Sequence, residues 1–354
     1  MSRFAGKTLE HLTPYTPGEQ PRDMQYIKLN TNESPFPPSP KAQAAAAEVA
    51  ARLQLYPDPT CRALHEAFAA SVGVSPDCVL ATNGSDEILN FAFMAFCDES
   101  TPAAFADITY GFYEVFAELN RVPYRKIPLN ADFTLPIEEF CKNDATLFIA
   151  NPNAPTGIAL SREEIERILQ ANPDRLVLID EAYVDFGGES CIPLIKKYDN
   201  LLVTQTFSKS RSMAGARLGF GVASPALIAD LNTIKYSTNP YNINSMTMAA
   251  GLGVLADEEY TRANCRTVIE NRDYLTAALE EFGFLVLPSR TNFIFARHPR
   301  ISGEEMYRRL RESGILVRHF TAPRIADFNR ITVGARADME TLVKTVQKIL
   351  EETT

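Results

Sequence analysis

The sequence has no surplus of positive charge. Its 35 Lys and Arg stand against 44 Asp and Glu, a formal net charge of −9. That argues against nucleic acid as the main partner, because neutralising phosphates takes clustered Lys and Arg. A small anion is still admissible, since two or three focused arginines hold one. Long hydrophobic runs are also missing. The longest, "ILNFAFMAFC", is too short to span a bilayer and contains Asn90. The opening "MSRFAGKTLEHLTPYTPGEQ" has no apolar h-region, so neither a signal peptide nor a membrane partner is expected, and the expected location is the cytoplasm. No CxxC occurs. Cys61, Cys78, Cys97, Cys141, Cys191 and Cys265 are scattered and read as reduced structural thiols. The four histidines stand apart from each other and from paired cysteines, which leaves no expected metal site. There is no repeat at a fixed period.

What is present is a chain of 354 residues, too long for one small core, with 45% hydrophobic and 22% charged residues. Short apolar runs alternate with helical patterns: "CVLATNG" then "SDEILNFAFMAF", "TLFIANPN" then "SREEIERILQ", then "RLVLIDEAY", "NLLVTQTFSK" and "RLGFGVAS". Continuous rather than alternating hydrophobics mean strands covered on both faces. Strands separated by helices predict an α/β fold with a doubly wound, mostly parallel sheet. Ser161 and Glu164 form a capping-box signature at one helix start. The pattern changes after "YSTNPYNINS". One long helical stretch is predicted from about Ser245 to Phe282, followed by strands and helices of a compact α+β unit. The proline-dense start cannot be a central strand or helix and reads as an arm. The expected organisation is an N-terminal arm (1–40), a large domain (41–245) and a small C-terminal domain (246–354).

Ligands of open parallel sheets bind beyond the carboxyl ends of the strands, and the suggestive polar residues fall there. "ATNGSDE" follows a strand and opens a helix, so the N–H groups of Gly84, Ser85 and Asp86 suit a phosphate. Asp180 ends "RLVLID"; Thr206, Ser208, Lys209 and Arg217 follow "NLLVTQ". Each has a plainer reading: Ser85 an N-cap, Asp180 a turn cap, Lys209 a solvated cation, Arg217 a surface ion pair. Pyridoxal phosphate accounts for all of them together. Its aldehyde needs an amine, which Lys209 supplies as a Schiff base. Its ring nitrogen needs a buried carboxylate such as Asp180 to stay protonated. Its phosphate needs a helix start, hydroxyls and an arginine. Tyr183 could donate to the ring's phenolic oxygen and Tyr110 stack on its face.

The stretches "NPNAPTG" (151–157), "DEAYVDF" (180–186), "SKSRSMAGARLGFG" (208–221) and "RITVG" (330–334) resemble the class I/II aminotransferases of PLP fold type I. Within these, "LTPYTPGEQ", "LNTNESPFPPSP", "YPDP" and "PYNIN" resemble the histidinol-phosphate branch. The resemblance implies transamination between a small-molecule amino donor and a 2-oxo acid, histidinol phosphate and 2-oxoglutarate in this branch, by a homodimer with shared active sites. It implies Lys209 as cofactor anchor and proton shuttle, Asp180 on the ring nitrogen and Tyr183 on the phenolic oxygen. Tyr56 would reach the cofactor phosphate of the neighbouring subunit. Arg330 would bind the substrate carboxylate or phosphate and Arg318 a second anionic group, with Tyr15, Asn32 and Tyr241 at the substrate end. One position departs: the family usually has asparagine where this chain has Ala154, so the resemblance leaves Tyr183 as the direct donor to the phenolic oxygen unless Asn151 or Asn153 moves in.

Threonine-phosphate decarboxylases and aromatic aminotransferases share these motifs, and a non-catalytic PLP sensor is a remoter reading. "GLGVLA" (251–256) matches the dinucleotide fingerprint G-x-G-x-x-A, but it follows a helical pattern where the fingerprint needs a strand.

Overall fold

A computed structural model describes residues 2–6, 9 and 12–353. A two-residue strand β1 (Ile27–Lys28) closes the arm. Seven strands then form one sheet: β2 (Val79–Thr82), β3 (Ala103–Ala106), β4 (Tyr124–Ile127), β5 (Thr146–Ala150), β6 (Val177–Asp180), β7 (Leu201–Thr206) and β8 (Gly219–Ala223). Their order is β2-β8-β7-β6-β5-β3-β4. All neighbours are parallel except β8, which runs antiparallel to both β2 and β7. The expected doubly wound, mostly parallel sheet is therefore present, with one reversed strand.

The continuous apolar runs are explained by burial on both faces. Along β5, Leu147 and Ile149 enter one core while Phe148 enters the other; β6 divides Val177 and Ile179 from Leu178 in the same way. Alternate side chains of a strand point to opposite faces, so a strand covered on both sides has no polar position to spare.

A second, antiparallel sheet, in the order β12-β13-β10-β9, is built from β9 (Leu285–Val286), β10 (Phe293–Arg297), β12 (Arg318–His319) and β13 (Asn329–Thr332). Strand β11 (Ile315–Leu316) pairs instead with β1, in parallel. The stretch "ILVRHF" thus forms two short strands, the first holding the arm and the second presenting Arg318. A separate apolar core beneath this sheet runs from Leu29 of the arm through Leu275, Ile294, Leu310 and Val346.

The helical stretch expected from 245 to 282 is broken. Helix Ser245–Leu255 ends before Asp257, and helix Glu258–Glu281 begins after it. The first contributes Ala250 and Val254 to the core of the large sheet; the second contributes Cys265, Val268 and Leu275 to the small one. By packing, the division between the cores falls after Leu255 rather than at 245. The glycines of "GLGVLA" lie inside the first helix, where backbones approach closely. A Cβ on Gly253 would sit 2.6 Å from the Cα of Ala42, and one on Gly251 would sit 2.5 Å from Leu218 Cδ2. They serve helix packing, and the dinucleotide reading has no structural support.

Candidate active site

The site lies where β6 and β7 end and where helix Ser85–Phe96 begins. Because β8 is antiparallel to β2, with Thr82 opposite Gly219, the approach to β8 passes the start of that helix. Two glycines make the passage possible. Gly84 has φ +76, and a Cβ there would lie 2.5 Å from Arg217 Nη2. A Cβ on Gly219 would lie 2.4 Å from the backbone nitrogen of Ser85. A side chain at Gly84 would push Arg217 off the helix start, and one at Gly219 would drive the start of β8 away from it.

A cavity of about 170 Å³ results, lined by Ser85, Asp86, Tyr110, Ala154, Asp180, Tyr183, Thr206, Ser208, Lys209 and Arg217 among others. It shares Tyr110, Ala154, Tyr183 and Lys209 with an outer cavity of about 470 Å³, which adds Tyr15, Asn32, Arg318 and Arg330. The structure thus brings together most of the expected residues. Tyr56 and Tyr241 are not on these walls. They stack on each other at 4.6 Å between ring centres, and Tyr56 is 82% exposed.

At the inner end, the Asp180 carboxylate is almost fully buried. Burial pushes it up to about 6, against hydrogen bonds from Tyr113 and the Ala182 N–H that lower it. Tyr113 donates to Asp180 Oδ2 at 3.0 Å and Ala182 N–H to Oδ1 at 3.2 Å. Tyr113 was not singled out from sequence; three residues after Tyr110, it reads as one more aromatic of an amphipathic helix. Asp86 has a side-chain role besides its N–H. Its carboxylate meets Arg217 Nη2 at 3.0 Å and accepts from Tyr110 Oη at 2.8 Å, orienting both.

Lys209 lies between the two cavities. Its Nζ donates to the Thr31 carbonyl at 3.3 Å and stands 5.8 Å from the centre of the Tyr183 ring. At the outer end, Arg318 and Arg330 are direct partners across β12 and β13. Like charges placed opposite each other repel unless an anion joins them. Arg330 donates to the Asn30 carbonyl at 2.9 Å, and its buried Nε has no partner. Burial pulls its guanidinium down, and Arg318 adds to that. Arg318 donates to the carbonyls of Thr16 and Pro17. Tyr15 stacks on Phe112 at 4.3 Å, which sets the arm over this end.

Neither asparagine flanking Ala154 substitutes for the missing amide. Asn151 is bound at both ends to Leu160, donating to its carbonyl and accepting from its N–H. Asn153 accepts from Thr109 and donates to the Ile108 carbonyl and Thr156.

The inner cavity fits pyridoxal phosphate on its own chemistry. Ser208 Oγ is buried without a partner beside Thr206, Arg217 and the helix start, an unmet hydroxyl where the phosphate would lie. A buried carboxylate stands at one side and a lysine at another, as the ring and aldehyde require. Among the described residues no cluster of His, Cys, Asp or Glu could hold a metal, and no helix is long and apolar enough to cross a membrane.

The sequence profile described as "Aminotransferase class I and II" matches residues 24–349, and the chain belongs to that family. Within it, the chain is 46% identical over 350 residues to "Histidinol-phosphate aminotransferase 1" of Bradyrhizobium diazoefficiens, covering 99% of this chain and 100% of the relative. The fold superposes with a TM-score of 0.88 on the histidinol-phosphate aminotransferase of Sinorhizobium meliloti, solved in complex with pyridoxal-5'-phosphate, at 22% identity over 100% of this chain and 99% of that one. It also superposes at 0.81 on the L-threonine-O-3-phosphate decarboxylase of Porphyromonas gingivalis, at 24% identity over 92% and 99%. The fold alone therefore does not separate these activities.

The burial of Asp180 has a pH signature in the cofactor-free protein. A folded-state pKa of about 6 against an ordinary 3.8 means stability that is full below pH 4 and lost as pH rises through 6. Asp180→Asn removes this loss. The variant's stability relative to wild type should rise between pH 4 and pH 8 by roughly 2–3 kcal/mol. Urea unfolding across that range reads the difference; a difference independent of pH would mean burial does not hold the carboxyl up.

Proposed function

We propose that the chain is a histidinol-phosphate aminotransferase, moving an amino group between histidinol phosphate and 2-oxoglutarate with pyridoxal phosphate as cofactor. The observation that carries the substrate reading is the pair Arg318 and Arg330, opposed on adjacent strands at the outer end of a cavity with Lys209 at its inner side. The near full-length identity to a named histidinol-phosphate aminotransferase supports it.

The residues divide the work. Ser85 and Asp86 N–H groups, Thr206, Ser208 and Arg217 would hold the cofactor phosphate, with Gly84 leaving room for the arginine. Asp180 would hold the proton on the ring nitrogen, kept in place by Tyr113. Tyr183 would donate to the phenolic oxygen, and Tyr110, tied by its hydroxyl to Asp86, would pack on the ring. When bound, the cofactor supplies an aldehyde that captures the amino group and a cationic ring that withdraws the electrons left by the departing α-proton. Lys209 Nζ is the base that takes that proton and returns it. Arg330 grips the substrate phosphate or an α-carboxylate, since both are anions that a guanidinium binds with two hydrogen bonds. Arg318 takes the remaining charge of a dianionic substrate, the second carboxylate of glutamate or the second charge of the phosphate, and Tyr15 packs beside the imidazole.

We infer a homodimer in which each subunit completes the other's site. Tyr56 and Tyr241 form an exposed aromatic pair outside this chain's own cavity, which suits contact with a partner's cofactor phosphate and substrate end. Mixing Tyr56→Phe with Lys209→Ala protomers tests this. In the heterodimer one site carries both defects and the other neither. Activity above the sum of the separate variants is expected; none, once exchange is demonstrated, contradicts the shared site.

The substrate reading is tested by half-reaction rates. Arg330→Leu should impair histidinol phosphate, glutamate and phenylalanine alike, with losses of about 2–5 kcal/mol in binding. Arg318→Leu should impair histidinol phosphate and glutamate while sparing phenylalanine. Small, equal effects across all three, or release of carbon dioxide from threonine phosphate as the faster reaction, would sink the assignment.

A further inference from the structure

Residues from three separate parts of the chain form a hydrogen-bonded series that ends at the hydroxyl of Tyr183. Asn32 comes from the arm, Thr332 from β13, and Tyr183 from the loop after β6. Asn32 is 1% exposed and has φ +56, a left-handed conformation that asparagine tolerates better than most residues. Its main chain is held on both sides: its N–H donates to Thr332 Oγ1 at 3.0 Å, and its carbonyl accepts from Asn292 Nδ2 at 3.0 Å. Its amide is then oriented by Thr332. That hydroxyl receives the Asn32 N–H, so its own proton turns to Asn32 Oδ1, also at 3.0 Å. With Oδ1 committed, Nδ2 faces Tyr183 Oη at 2.9 Å as a donor.

A tyrosine hydroxyl has one proton. Since its oxygen accepts from Asn32, that proton is free to point elsewhere, and Tyr183 lines the cofactor cavity beside Ala154 and Lys209. The ring cannot swing away easily, because it packs edge-on against Phe293 at 5.1 Å. Ala154 offers no donor, and the Asn151 and Asn153 amides are engaged elsewhere. Among the described residues, with Thr206, Ser208 and Arg217 assigned to the phosphate and the Tyr110 hydroxyl held by Asp86, that leaves Tyr183 beside Lys209 to donate to a phenolic oxygen.

We propose that Asn32 is a positioning residue for Tyr183: its amide, set by Thr332, turns the single hydroxyl proton of Tyr183 toward the cofactor. This rests on the cofactor reading above, and it moves Asn32 from the substrate end, where sequence resemblance put it, to the support of the cofactor. It also ties the donor's orientation to the small sheet, since Thr332 lies next to Arg330's neighbour Ile331 on the same strand.

The test is a spectrophotometric pH titration of the cofactor's visible band in the holoenzyme without substrate. Losing a donor to the phenolic oxygen makes that oxygen more basic, so the midpoint moves up. Tyr183→Phe sets the reference and should raise it by about one unit, tenfold in proton affinity. Asn32→Asp keeps the left-handed backbone but accepts the tyrosine's proton instead of donating, and should raise the midpoint by a similar amount. In the Tyr183→Phe background it should add nothing, because the two act through one bond. Thr332→Val, which releases the amide, should shift the midpoint in the same direction by less, and it decides the matter alone if Asn32→Asp does not fold. Shifts that add in the double variant would show a plain charge effect and overturn the proposal. So would unmoved midpoints in Asn32→Asp and Thr332→Val with a raised KM for histidinol phosphate, which would return Asn32 to the substrate. An unmoved midpoint in Tyr183→Phe itself would overturn both this proposal and the placing of Tyr183 on the phenolic oxygen.

Discussion

Two charges without counter-charges, a buried carboxylate and a half-buried guanidinium with a buried Nε, organise this site. Among the described residues no ion pair joins Asp180 or Arg330 to a protein partner. Asp180 has a tyrosine and one N–H; Arg330 has one carbonyl and a bare Nε. An unpaired buried ion costs several kcal/mol even when hydrogen bonds soften it. A fold accepts that cost where a ligand of opposite charge completes the pair. A cationic ring beside Asp180 and an anionic substrate beside Arg330 are such ligands. The opposite signs at the two ends also fix which way round the site is filled, cofactor ring inward and substrate anion outward.

The arm is the third wall, and it works through its main chain. Thr31 accepts from Lys209, Asn30 from Arg330, and Thr16 and Pro17 from Arg318. Three cations of the site thus rest on neutral carbonyl oxygens. Such contacts hold each side chain in place without neutralising it, so the charge remains for a ligand. The arm is anchored directly beside the site, by β1 against β11 and by Leu29 in the small core. The proline-dense sequence around it, unable to join a sheet interior, suits a segment whose carbonyls must stay free to accept.

Much of this could be read from sequence, because the strands are short and their ends are chemically marked. Asp180 and Thr206 close apolar runs, and "NGSDE" opens a helix directly after one, so local pattern already puts them at one sheet edge. Contacts between distant segments were not readable. Nothing in "ITYGFYEVF" separates Tyr113, which holds Asp180, from an ordinary core aromatic. Nothing local links Asn32 to Thr332 three hundred residues later. The break at Asp257 was missed for a different reason: the helix before it is apolar nearly all round and the one after it on one face, so the apolar pattern runs on, and only packing shows that the two belong to different cores. The substitution at Ala154 was visible, yet its consequence was not, since the commitments of Asn151 and Asn153 are tertiary.

The central claim is that the buried carboxylate waits for the positive charge of the cofactor ring. Infrared or carbon-13 titration of the Asp180 carboxyl, with and without pyridoxal phosphate, measures this directly. The account predicts titration near pH 6 in the cofactor-free protein and a fall of at least two units on binding, as the protonated ring nitrogen comes to face it. A carboxyl that titrates at the same pH in both states would mean that Asp180 does not meet the ring, and the account would be wrong at its base.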